Sequence, residues 1–125
     1  VAALLLAVSA CGARGVEVVD DDQLEQAIND VLTAEETKPL KDLAGGDWDQ
    51  VQVFHAEAAS RDRIERTLGE RVEMPEIFFL SKDSLLFFRK GGKVVRAVKV
   101  AATPFGEGGY PADVLVDGRP KPPGR

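Results

Sequence analysis

One cysteine, one histidine, one methionine and one tryptophan occur among the 125 residues, and these scarcities exclude several kinds of protein. A lone thiol, Cys11, rules out an internal disulfide framework. That thiol and the single imidazole of His55 cannot furnish the four ligands of a structural zinc site. Bases are outnumbered: 16 Lys and Arg against 21 Asp and Glu leave a formal net charge of −5. Non-specific nucleic-acid binding needs the opposite balance, a basic surface that displaces counterions. No apolar run approaches the roughly 20 residues that cross a bilayer as a helix. Internal repeats and long low-complexity tracts are also missing. What remains is the composition of one globular domain, long enough to bury a real core.

The charge is unevenly spread. Glu17 to Glu36 contains eight acids and no Lys or Arg, whereas Leu85 to Val100 contains five bases (Arg89, Lys90, Lys93, Arg96, Lys99) and no acid. Two solvated faces of opposite sign account for this.

Val1 to Ala10 (VAALLLAVSA) is uncharged and apolar, turns small, and ends against Cys11. It is too short to span a membrane and fits the hydrophobic region of a signal peptide whose positively charged n-region is missing. Its end, Val8-Ser9-Ala10-Cys11-Gly12, resembles the lipobox of bacterial lipoproteins, in which an aliphatic and two small residues precede the cysteine. The resemblance implies cleavage before Cys11 and a diacylglycerol thioether on its sulfur. Each buried methylene contributes about 0.8 kcal/mol, so one acyl chain anchors marginally and two or more anchor stably. The competing reading is a buried N-terminal element whose cysteine is merely a small hydrophobe.

The resulting division is a leader over residues 1–10, a tether over 11–21, one domain over 22–117 and a disordered, basic, Pro-rich tail over 118–125. Within the domain, Leu24, Ala27, Ile28, Val31 and Leu32 recur at helical spacing, predicting a helix from Asp22 to Leu32. Asp22 is its expected cap, with Glu25 completing a capping box. Thr33 to Gly46, with Pro39 and Gly45-Gly46, reads as a connector holding a turn of helix around Leu40 and Leu43. Asp47 to His55 alternates like a strand, and Ser60 caps a second helix that stops at Gly69. Three strands follow at Glu76–Leu80, Ser84–Arg89 and Lys93–Ala101, the last two joined by a Gly91-Gly92 hairpin. Ala112–Val116 adds a possible edge strand. The fold expected is α+β: an antiparallel sheet of about four strands with two helices on one face, in the order α-β-α-β-β-β. Asp47-Trp48-Asp49-Gln50-Val51, Ile64, Leu68-Gly69 and Lys90-Gly91-Gly92-Lys93-Val94-Val95 resemble a group of small bacterial lipoproteins, from which no activity carries over.

Few residues invite chemistry. For His55 to act as a base it would need a nucleophile and an orienting acid, and Ser60 and Asp49 are its tempting neighbours. Asp49 and His55 share a strand face but stand about 20 Å apart at six residues' separation, so a strand-end histidine is the plainer reading. Asp20-Asp21-Asp22 lacks the central Gly and closing Glu of a calcium hand, as does Asp47-x-Asp49. Gly106-x-Gly108-Gly109 opens no helix and so makes a poor phosphate cradle. Trp48 reads as a core anchor. No catalytic, metal or cofactor residue is therefore expected.

The runs Ile77-Phe78-Phe79-Leu80 and Leu85-Leu86-Phe87-Phe88 do not alternate, so each strand would carry large apolar groups on both faces. Two helices on one face leave the other needing a cover. Phe105, Tyr110 and Val114 of the C-terminal segment supply one. The other possibility is an open patch of Phe78 and Phe87 rimmed by Arg89, Lys90, Lys93 and Lys99, docking an acidic partner or a second copy. Function is then expected to be that of an exported lipoprotein at the cell membrane or outer membrane, with a non-catalytic binding or structural domain. A lipid-tethered secreted hydrolase is the alternative.

Overall fold

A computed structural model describes residues 15–78 and 81–120. The leader and Cys11 lie outside the described residues, as do Phe79, Leu80 and residues 121–125.

The frame is a five-stranded sheet. In space its order is β2 (Val19–Asp20), β7 (Lys93–Val100), β6 (Ser84–Lys90), β4 (Gln50–His55) and β8 (Gly108–Pro111). β7, β6, β4 and β8 are antiparallel to their neighbours, while β2 joins β7 in parallel. Two short pairs flank the sheet. β1 (Val16–Glu17) runs parallel to β5 (Val72–Glu73), and β3 (Thr37–Pro39) runs antiparallel to β9 (Leu115–Asp117). Three helices complete the described residues: α1 (Asp22–Thr33), α2 (Leu40–Ala44) and α3 (Arg61–Leu68).

The α+β class is as expected, but the arrangement of layers is not. Along β6, Leu86 and Phe88 face one way and Leu85 and Phe87 the other, all fully buried. α1 covers the first face with Leu24, Ile28 and Val31, which meet Trp48, Val51, Val53, Val98 and Val100. α3 covers the second with Ile64 and Leu68, which meet Phe54 and Ala97. The helices thus sit on opposite faces, not on one. A 12-residue helix is marginal alone, so burial of its apolar stripe, at about 1.5–3 kcal/mol per large side chain, is what holds α1 in place.

Local signals explain the helix ends. Ser60 Oγ accepts the Arg63 N–H at 3.2 Å, and Gly69 closes α3 at φ 73°. In α1 the cap is Asp21, one residue before the one expected, and its carboxylate accepts the Leu24 N–H at 2.9 Å. Glu25 does not reach back as a capping box; it accepts the Ala101 N–H at 2.7 Å and ties the helix to the end of β7. The chain leaves α1 through its C-cap Ala34 and then Glu35, whose positive φ of 55° would suit glycine better.

Four further expectations are corrected. Glu76 to Phe78 is loop, not strand: Arg61 instead takes the Glu76 carbonyl from its own N–H. The C-terminal strands are β8 and β9 rather than one edge strand over Ala112–Val116. The tether is shorter than 11–21, because β1 and β2 already belong to the fold. Similarly Gly118 is built in, donating its N–H to Glu36 O at 2.8 Å, and the next residue, Arg119, grips Asp117.

Candidate functional site

Both faces of the sheet are covered, and the expected open patch of Phe78 and Phe87 does not form among the described residues. Phe87 is wholly buried beneath α3, with its ring edge-on to Phe54 at 5.8 Å. Phe78 is half-buried against the same cluster. The expected basic rim is mostly engaged within the chain. Lys99 lies between Asp20 and Asp83, each at 3.1 Å, with its ammonium 5.5 Å from the Phe78 ring centre. Hydrogen bonds that the ammonium donates to Asp83 and then to Asp20 hold it above the ordinary lysine range. Lys90 pairs with Asp47 at 3.2 Å, and Arg89 donates to Gly92 O at 2.8 Å. Lys93 stays exposed. Phe105, Tyr110 and Val114 do pack on the core, but on the α1 face.

The tempting catalytic group disperses. Ser60 is spent on the α3 cap, and Asp49 accepts the Gly91 N–H at 3.1 Å within the hairpin. The residue that register sets opposite His55 is Ser84, which helix and motif reasoning never brought forward. Strand pairing was the signal that would have found it. Ser84 Oγ is fully buried with no hydrogen-bond partner, and His55 Nε2 meets the Phe105 carbonyl at 3.1 Å. Ser84 is thus closed off from solvent, while His55 is half-buried at the surface. Trp48 is likewise buried, donating from Nε1 to Gly45 O at 2.9 Å and tilted against Phe88 at 4.9 Å.

The most polar contact inside the fold joins Asp21 and Arg96. The Arg96 guanidinium bonds the Asp21 carboxylate, donates to Ala44 O at 2.7 Å and lies 5.4 Å from the Phe88 ring centre. The Leu24 amide first, then Arg96, hold the Asp21 carboxyl below the usual range, against a partial burial that works the other way. This clamp fixes α1, α2 and β7 to one another. It is a structural device, with both partners satisfied.

Hollows on the described surface include three of note. One of about 160 Å³ lies between His55, Glu57, Lys82, Asp83 and Thr103. Another, of about 390 Å³, lies beside the start of α3 between Arg61, Glu65, Glu76 and Ile77. A third, of about 530 Å³, is a cleft between β1 and the first half of β7, bounded by Gly15, Glu17, Arg71, Lys93 and Val95. Glu70 also borders it, with a carboxylate already accepting the Val94 N–H at 2.8 Å. Opposed charges at an open cleft suit binding of a charged surface better than proton transfer. Sequence reasoning missed this cleft because it took Val16 and Val18 for tether. Their alternation with Glu17 was the available signal.

Among the described residues no group of three or more His, Cys, Asp or Glu side chains is placed to hold a metal ion, and no helix is long and apolar enough to cross a membrane. No protein-family model, no curated protein and no solved structure matches the chain.

Proposed function

We propose that the chain is an exported bacterial envelope lipoprotein, anchored through lipid on Cys11 to the cell membrane or outer membrane. Its domain binds or braces a partner there without catalysing a reaction. The observation that carries this reading is the lipobox Val8-Ser9-Ala10-Cys11, which stands just ahead of a domain beginning at Gly15. The interior supports the non-catalytic part. Ser60, Asp49 and Asp21 each have a structural partner, and Ser84, the serine that register sets opposite His55, is buried. A lipid-tethered hydrolase would need an acid and a base converging on a cleft; for that alternative the hollow lined by His55, Glu57 and Asp83 is the place to look.

The test is metabolic. Expressed in a bacterium behind a complete leader, the protein should incorporate labelled palmitate and partition into detergent. Cys11→Ser should abolish both. Equal labelling of wild type and variant would overturn the proposal.

A further inference from the structure

We propose that the domain meets the membrane with the face around Gly15, so that Arg71, Lys93 and Val95 lie among the lipid headgroups and fix its orientation. This rests on the lipoprotein reading and asks which side of the domain the lipid holds down.

Covalent length makes the first part of the case. From Cys11 to Gly15 is four residues, and a fully extended chain covers at most about 3.3–3.6 Å per residue. Whatever path the chain takes, Gly15 stays within roughly 14 Å of the acylated residue. The headgroup layer of one leaflet occupies about 5–7 Å of that span. A domain held so closely cannot present an arbitrary side to the bilayer.

The second part is where the tether meets the fold. Gly15 is a fixed point of the surface. The next residue donates its N–H to Arg71 O at 2.8 Å, and Val16 and Glu17 pair in register with Val72 and Glu73. A Cβ at Gly15 would stand 2.8 Å from the Arg71 carbonyl, at a φ of +88°. Glycine is what lets the chain leave the domain against the Arg71 backbone.

The third part is chemistry. Arg71 and Lys93 are exposed, and neither enters an ion pair among the described residues. Val95 is 55% exposed, one of three large apolar side chains so placed on the described surface. Cations for phosphate oxygens beside an apolar group for the interface are what a headgroup layer receives. Glu17 shares the cleft, so the fit is to a layer of phosphates and amines rather than to a purely anionic sheet. The acids Asp20 and Asp22 lie toward the opposite end of β7, where Asp20 pairs with Lys99. With Lys93 turned to the membrane, they point away from its phosphates.

The full-length protein carrying its lipid provides the test. The lipid occupies the one native thiol, so Val95→Cys and Glu57→Cys each offer a single site for an environment-sensitive fluorophore. Glu57 follows β4 at the far end of the sheet, where His55 pairs with Ser84 and Ser84 with Val100. The labelled proteins are reconstituted in vesicles of phosphatidylcholine and phosphatidylglycerol containing a headgroup-nitroxide lipid, and intact mass establishes the lipid on Cys11. Quenching should be several-fold stronger at Val95→Cys than at Glu57→Cys. A long Gly/Ser spacer inserted after Gly12 should weaken the difference, and so should Arg71→Glu with Lys93→Glu. Equal quenching, or stronger quenching at Glu57→Cys, on protein whose mass includes the lipid would overturn the orientation and leave the lipoprotein reading standing. A mass without lipid would overturn both.

Discussion

The two faces of the central sheet are closed in different ways. On the α1 face the cover comes from far apart in the chain: α1 near the start, Trp48 in the middle, and Val116 of β9 near the end. On the α3 face most of the cover is one continuous stretch, from Ala56 through Ile64 and Leu68 to Met74, with Val16 and Val18 added at its border. Both cores share β4, β6 and β7, so neither can loosen without exposing the back of the strands that the other uses. The difference teaches that the α1 face depends on the whole chain being present, while the α3 face is assembled mainly from a local excursion between β4 and β6.

The harshest way to break that contrast is to cut the chain after Thr103. This removes β8, β9 and the fully buried Val116, all of which serve the α1 side or its edge. The truncated protein should unfold or aggregate, with Trp48 emission shifted to that of water. A folded remnant retaining α3 by circular dichroism would show that the two faces are separable.

Less drastic are single cavities. Phe88→Ala and Phe87→Ala should each cost about 3–5 kcal/mol in denaturant unfolding, because both rings are wholly buried. Phe88 lies 4.9 Å from Trp48, so its loss should also change the emission of the folded state. Phe87 neighbours Phe54 on the other face, and its loss should leave that emission unchanged. A change in both would mean that the sheet transmits packing between the cores.

A smaller effect concerns Asp21, which caps α1 and holds Arg96. Asp21→Ala should cost about 1–2 kcal/mol by loss of the cap. The carboxyl's pKa is lowered on folding, so its contribution is fully present above the unfolded value near 4 and is lost as pH falls through the folded value. Acid titration of stability should therefore be shallower in the variant below about pH 4. Identical slopes would remove Asp21 from the acid response.

The mildest prediction compares the helix ends. α3 stops on Gly69, whereas the chain leaves α1 through Glu35 in the same left-handed region. Glu35→Gly should raise stability by about 0.5–1 kcal/mol, read as a higher midpoint of thermal unfolding. A lowered midpoint would mean that the greater freedom of glycine in the unfolded chain outweighs the relief of strain.

Much of this frame was legible from residue order. The periodicity of Leu24, Ile28 and Val31, the Ser60 cap, the Gly69 stop and the Gly91-Gly92 hairpin each act within a few residues, so composition reveals them. The unbroken run Leu85-Leu86-Phe87-Phe88 correctly marked a strand buried on both sides. Which helix covers which side was not legible, because a connection can cross in front of or behind a sheet with the same local pattern. Ile77 and Phe78 were misread for a related reason. An apolar run reports burial, and Phe78 achieves it from a loop beneath Lys99. The candidate site was the least legible part. The cleft at Gly15 arises from a parallel contact between residues 56 positions apart, Val16 and Val72; alternation around Glu17 marks a strand there, but nothing local names its partner. The lipobox-like stretch Val8-Ser9-Ala10-Cys11, on which the proposed function rests, is a local pattern and so is visible without the fold.

The pairing of β3 with β9 has a consequence for synthesis. Thr37 meets Asp117 across 80 residues, and Val116 beside it completes the packing around α1. Closing so long a loop has an entropic cost that is met only when the distant contacts form, so such pairings come late in folding. A nascent chain released as far as β7 would hold its central hairpin and still have an unfinished interior. The domain should therefore close only after β9 has emerged, and stay open while the residues between β3 and β9 are being made.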